Sequence, residues 1–159
     1  MGRSNKVSAG LMMYRLQAGM VEVFLIHPGG PYAAKKDRGV WSIPKGEIEP
    51  DEPLEETAVR EFEEETGKPA GSPRISLGSI RQRGGKTVHA WAFEGDWEAD
   101  RELVSNTFEM EWPPRSGQMQ VFPEVDKAQF FSIAEAKEKI NVRQVALIDR
   151  LLAWLSAPS

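Results

Sequence analysis

Ten acidic residues fall between Glu47 and Glu65, and Arg60 is the only basic residue among them. On a helical wheel of about 100° per residue, Glu61, Glu64 and Glu65 share a wedge about 100° wide within one turn. That wedge borders the apolar stripe of Leu54, Ala58 and Phe62 rather than opposing it. Like charges three and four residues apart repel by roughly 0.2–0.5 kcal/mol per pair, and by more beside packed residues that exclude water. A bound cation removes that repulsion. Carboxylates are hard oxygen donors, so the group suits Mg²⁺ or Mn²⁺ rather than zinc. Mg²⁺ held by a few carboxylates keeps waters and completes its shell with substrate phosphates. The chemistry indicated is phosphoryl chemistry. The plain alternative is a solvated acidic helix face, and the position of the wedge beside apolar residues argues against it.

These side chains need a helix to gather them. Pro53 to Thr66 contains no Gly or Pro after its first residue. Asp51 or Glu52 can cap it, Pro53 suits its first turn, and Gly67 followed by Pro69 ends it. Upstream, Val7–Leu16 and Val21–His27 are apolar runs rich in β-branched and aromatic residues, joined by Gln17-Ala18-Gly19-Met20, and they read as a hairpin. HPGGPYAAKKDRG is a loop carrying Lys35, Lys36 and Arg38. A short strand at Val40–Ile43 leads into a turn at Pro44-Lys45-Gly46. Downstream, Ile75–Gln82 and Lys86–Glu94 read as strands about the Gly84-Gly85 turn.

Gly95 to Pro123 reads as a long irregular stretch, and loops of that length in a compact domain serve function or lack order. Val125–Phe131 is a last strand. Ser132 with Glu135 forms a capping box for a short helix to about Lys139. Asn141 with Gln144 opens a final helix striped by Val145, Ile148, Leu151, Leu152 and Leu155. Strands on both sides of a central helix, with helices at the end, predict an α/β fold with a mixed sheet between helices.

Gly46, then Glu52, then Arg60-Glu61-Phe62-Glu63-Glu64-Glu65-Thr66-Gly67 resembles the Nudix box. That pattern is Gly, five residues, Glu, seven residues, and Arg-Glu-aliphatic-any-Glu-Glu-any-Gly, and every fixed position matches here. The apolar residue that usually follows the last Gly is replaced by Lys68. The resemblance implies a Nudix-type α/β/α sandwich with a central mixed sheet, as a single domain over residues 1–159. It implies that Glu61, Glu64 and Glu65 are metal ligands, that Glu61 or Glu64 orients or deprotonates the attacking water, and that Arg60 braces Glu52 or the ligand carboxylates. Gly46 allows a tight turn and offers its carbonyl to the metal. The family often adds another Glu from a late loop; Glu124 aligns best, with Glu109 and Glu111 behind it. The expected enzyme is a pyrophosphohydrolase using Mg²⁺ or Mn²⁺.

Trp41-Ser42-Ile43-Pro44-Lys45-Gly46-Glu47-Ile48-Glu49-Pro50 resembles the opening found in Nudix enzymes for dinucleoside polyphosphates and for diphosphoinositol polyphosphates. Lys86-Thr87-Val88 leading to Trp91, and the strand after Glu124, are similar to the dinucleoside polyphosphate group. A nucleoside triphosphate or a nucleotide sugar such as ADP-ribose is the alternative substrate, and a non-catalytic nucleotide-sensing module a third reading. A polyphosphate needs cations beside the metal. Lys45, Lys36, Arg38, Arg83 and Lys86 are the expected contacts, with Lys45 first because the turn sets it beside Gly46. Trp112, in the long stretch, is the expected aromatic platform for a base; Phe108 and Phe122 stand behind it. Trp91 lies inside a strand, where core packing is the commoner role. His89 and His27 are read the same way.

Net charge −4 and a pI near 5.3 argue against a nucleic-acid polymer as partner and leave a small nucleotide open. The absence of cysteine excludes disulfides and Cys-ligated zinc. MGRSNKVSAGLMMYRL lacks the form of a leader peptide, and no apolar run approaches a membrane span. A cytoplasmic monomer or homodimer is expected.

Overall fold

A computed structural model describes residues 6–98 and 101–157. The opening five residues of the N-terminal stretch read above lie outside it. The expected hairpin forms from β1 (Val7–Gln17) and β2 (Met20–Pro28), paired antiparallel from Tyr14↔Val23 to Gln17↔Met20. β3 (Lys45–Glu47) follows, then helix α1 (Leu54–Thr66), β4 (Ile75–Arg81), β5 (Thr87–Glu94), β6 (Thr107–Glu111), β7 (Met119–Pro123) and β8 (Val125–Ser132). Helices α2 (Ile133–Lys139) and α3 (Val145–Ser156) close the fold. The main sheet runs β4-β5-β1-β2-β8, with β3 on the early half of β1. β1 and β5 pair in parallel and the other neighbours antiparallel, so the sheet is mixed as predicted.

Successive strand residues face opposite sides, and β1 uses both. Ala9, Leu11 and Met13 pack with Phe24, Phe93 and, from α1, Ala58 and Phe62. Met12 and Tyr14 pack on the other face with Leu147, Ile148 and Leu151 of α3. A strand apolar on both faces must be covered on both, and the α/β/α sandwich follows. No helix among the described residues is long and apolar enough to cross a membrane.

Several local expectations change. Pro44-Lys45-Gly46 is not a turn: Lys45 to Glu47 form β3, antiparallel to Gly10, Ala9 and Ser8. Val40–Ile43 is not a strand but makes isolated bridges, Trp41 to Ile140 and Ser42 to Ile26. Neither Asp51 nor Glu52 caps α1. Pro53 stands at the cap with no side-chain bond, and Glu52 is drawn to Arg60 instead. Gly67 ends the helix as expected, left-handed at φ 77°. The stretch from Gly95 to Pro123 holds a second, two-stranded sheet, β6 against β7. Ser132 caps α2 through the Glu135 amide as expected. Asn141 instead caps a short 3₁₀ turn, Val142–Gln144, and α3 begins after it.

Candidate active site

Phe62 and Ala58 are fully buried against the sheet, and that seat turns the next face of α1 onto β3. Glu65 is drawn in with them and is only 7% exposed. Its carboxyl group lies close to the Lys45 main chain and to the Glu61 carboxyl group. Burial, then the Glu61 neighbour, push Glu65 up to about 9. Two carboxylates this close in a site shielded from water repel each other, and a bound cation relieves that repulsion. Gly46 sits opposite Ala9 in the β3 register. A Cβ there would overlap all three atoms of the Glu61 carboxyl group. The glycine is required by close approach.

Arg60 organises the rest. Its Nε and one terminal nitrogen donate to the two oxygens of Glu52 at 2.8 and 2.9 Å, a bidentate pair that holds geometry as well as charge. Its other terminal nitrogen donates to Glu61 at 3.0 Å and Glu64 at 3.2 Å. Glu52 also accepts from the Thr57 hydroxyl at 2.7 Å and the Glu49 amide at 3.2 Å. The Arg60 bonds, then Thr57, hold Glu52 at about 2, and Glu52 in turn raises Arg60 above the usual guanidinium range. Among the described residues, no group of three or more acidic or histidine side chains is arranged to hold a metal ion; one carboxylate oxygen each of Glu61 and Glu64 is bonded to Arg60.

A cleft of about 250 Å³ opens beside this group. Lys45, Glu65 and Glu124 line one part, and Ile26, Pro28, Val40, Ile43 and Val125 line the rest. Burial lowers Lys45, opposed by the charge of Glu65. Burial, then the charges of Glu61 and Glu64, raise Glu124. The chain therefore brings Glu124 to the acidic helix from a distant segment. The Asn106 amide donates to the Glu64 carbonyl at 3.2 Å, and its carbonyl accepts from the Glu124 amide at 2.8 Å.

The other expected residues divide. Lys86 is close enough to Lys45 to lower its pKa. Lys36 and Arg83 are exposed, and Arg38, also exposed, stands 4.0 Å from Glu138 on α2. Trp112 packs edge-on to Tyr32, with ring centroids 5.2 Å apart. Phe108 and Phe122 pair within the β6–β7 hairpin, and Trp91 packs in the core beside α1 as read. Glu111 accepts from the Arg115 and Gly117 amides and so shapes the hairpin turn; Glu109 is exposed on β6. Thr57 and Asn106 were not foreseen. Thr57 stands five residues after Glu52 on the helix, a spacing that could have been read; the Asn106 link is main-chain and left no side-chain signal.

Comparison with known proteins agrees with this architecture. The NUDIX domain family model matches residues 5–151. A candidate mutator protein of Mycobacterium tuberculosis, MutT4, is 39% identical over 89 residues, covering 50% of this chain and 35% of its own length. The chain thus spans about a third of that curated relative. Among solved structures, a Caenorhabditis elegans Ap4A hydrolase binary complex aligns at a TM-score of 0.62 and 21% identity, covering 95% of this chain and 98% of that one. The NUDIX domain of Shewanella oneidensis NrtR, solved with ADP ribose, aligns at 0.66 and 15%, covering 98% and 91%. A MutT protein of Methanosarcina mazei aligns at 0.63 and 20%, covering 99% of each chain. At these identities the structures bear on the fold alone. With the family model matched along nearly its whole length and the same α/β/α arrangement around the glutamate helix, this chain belongs to the NUDIX domain family.

Proposed function

We propose that this protein is a metal-dependent hydrolase that cleaves a diphosphate linkage in a nucleoside polyphosphate-type substrate, a dinucleoside polyphosphate before others. One observation carries the reading: the adjoining carboxyl groups of Glu61 and Glu65, with Glu61 pressed against Gly46, beside a cleft that also holds Lys45 and Glu124. The residues fit a hard divalent cation, because the donors are carboxylate oxygens whose mutual repulsion such a cation relieves. Glu61, Glu64 and Glu65, with Glu124 and the Gly46 carbonyl, would hold Mg²⁺ or Mn²⁺. When bound, such ions lower the pKa of water and clamp phosphate oxygens in line.

The chain's own groups supply the remaining steps. Glu61 or Glu64 takes the proton of the attacking water, as a carboxylate within reach of it can. Arg60 fixes Glu52 and limits the swing of Glu61 and Glu64. The partly dehydrated Lys45 ammonium neutralises a phosphate oxygen more strongly than an exposed one would. Lys86 adds charge beside it. The apolar part of the cleft receives one nucleoside moiety, while Lys36, Arg38, Arg83 and the aromatic pair of exposed Tyr32 and half-buried Trp112 serve the remainder of a long substrate. The resemblance of Trp41 to Pro50 to the opening found in dinucleoside polyphosphate enzymes supports this order of preference.

The size of the cleft favours a second reading, a nucleoside triphosphate or ADP-ribose-type substrate with a single nucleoside to bury. A panel of Ap4A, nucleoside triphosphates and ADP-ribose, assayed with Mg²⁺ and with Mn²⁺ in ¹⁸O-labelled water, separates the two. The expected result is fastest turnover of Ap4A with the label in one phosphate product. Equal turnover of all members defeats the narrow assignment, and hydrolysis of none defeats the enzymatic reading in favour of a nucleotide-binding module.

A further inference from the structure

His27 is 1% exposed, and both of its ring nitrogens meet oxygen. Nδ1 lies 2.7 Å from a carboxylate oxygen of Asp126 at the start of β8, and Nε2 lies 2.7 Å from the main-chain carbonyl of Lys36. Both ring nitrogens are thus within hydrogen-bond distance of an oxygen, one on β8 and one on the basic loop. Its face is closed by Trp41, edge-on at 5.1 Å. The Trp41 indole donates to Asp37 at 2.8 Å, and Lys139 of α2 pairs with the same carboxylate. The loop carrying Lys35, Lys36 and Arg38 is therefore tied down at two consecutive residues.

Three cleft walls meet at this ring. Ile26 and Pro28 are its neighbours on β2, Val125 precedes Asp126 on β8, and Val40 lies just before Trp41. We propose that His27 is a positioning residue: by bridging Asp126 and the Lys36 carbonyl through its two ring nitrogens, it sets the spacing of the cleft walls and holds the basic loop at the substrate mouth. It touches no acidic group of the glutamate helix in this structure, so its effect falls on binding rather than on the bond-breaking step. Its bearing on substrate rests on the function proposed above; the tie itself does not.

The test uses the full chain and His27→Phe, which keeps a ring against Trp41 and removes both polar contacts. Amide hydrogen exchange, without substrate, is expected to quicken across residues 33–40 and to leave β4 and β5 unchanged. With Ap4A and Mg²⁺, KM is expected to rise about tenfold, the loss of one to two net hydrogen bonds, while kcat stays within about threefold. Asp126→Asn, at the more exposed end of the pair, covers the case in which His27→Phe does not fold, and is expected to give the same pattern at smaller size. Unchanged exchange in the loop overturns the proposal, as does a loss confined to kcat. If the unaltered protein hydrolyses no member of the panel, the functional reading fails and the exchange result alone decides the tie.

Discussion

Gly46→Ala is the most discriminating single change. Gly46 is not among the glycines held at positive φ, so alanine meets no backbone penalty there. Its cost is local: the new methyl would fall inside the 3.0 Å that real Cβ atoms essentially never breach, against the Glu61 carboxyl carbon and both oxygens. Reaching ordinary contact requires that carboxylate to retreat by more than about 1 Å, and a displacement of that size at a reacting group costs on the order of 10²-fold in rate. Arg60 and Glu65 hold the carboxylate from other sides, so it cannot retreat without loosening them. The clash is with a side-chain end rather than with backbone, so the fold should survive with a stability change of about 1 kcal/mol or less. The assay pairs kcat and KM at saturating Mg²⁺ with thermal melts in chelator. Shortening the neighbour gives an internal control: adding Glu61→Asp to the alanine variant should cost far less than it does alone, because the two changes share one space. Wild-type kcat in Gly46→Ala, or strictly multiplicative losses in the double variant, would refute the reasoning.

Glu64→Gln should lower kcat by at least about 10²-fold with little change in melting temperature, since Glu64 is partly exposed and its side chain bonds to Arg60; full activity would show that Glu64 is no ligand or base. Glu65→Gln should flatten the pH dependence of stability in the metal-free protein. Its carboxyl stands at about 9 when folded against 4.5 as a free side chain, so folding takes up a proton in that window and stability falls as pH rises through it. The slope contributed is at most about 1.4 kcal/mol per pH unit, and urea unfolding at pH 5 and pH 8.5 would reveal an unaltered slope if the assignment is wrong. Phe62→Ala removes a fully buried ring set edge-on to Phe93 at 5.2 Å and should cost about 3–5 kcal/mol; a loss under about 1 kcal/mol in chemical denaturation would mean that α1 is not seated on the sheet through this ring.

The pattern of Glu61, Glu64 and Glu65 beside Phe62 was legible because helical periodicity relates residues one turn apart and needs no knowledge of the rest of the chain. The same holds for the Gly67 stop, the Ser132 cap and the apolar run of β1. Lys45-Gly46 was misread for the opposite reason: Gly and Pro nearby signal a turn locally, whereas β1, more than thirty residues upstream, supplies the partner that makes a strand. The β6–β7 hairpin was missed because its faces are mostly exposed and carry little apolar alternation. Only tertiary packing decided that Glu65 would be buried and Glu64 not, that Glu52 would serve Arg60 rather than the helix end, and that Glu124 would reach the acidic cluster. Proximity across the fold depends on which strands pair and which faces are covered, and those choices are made by the whole chain at once. His27 shows the limit most plainly: alone on its strand it reads as core, and its two polar partners, nine and ninety-nine residues away, exist as neighbours only once the sheet has closed.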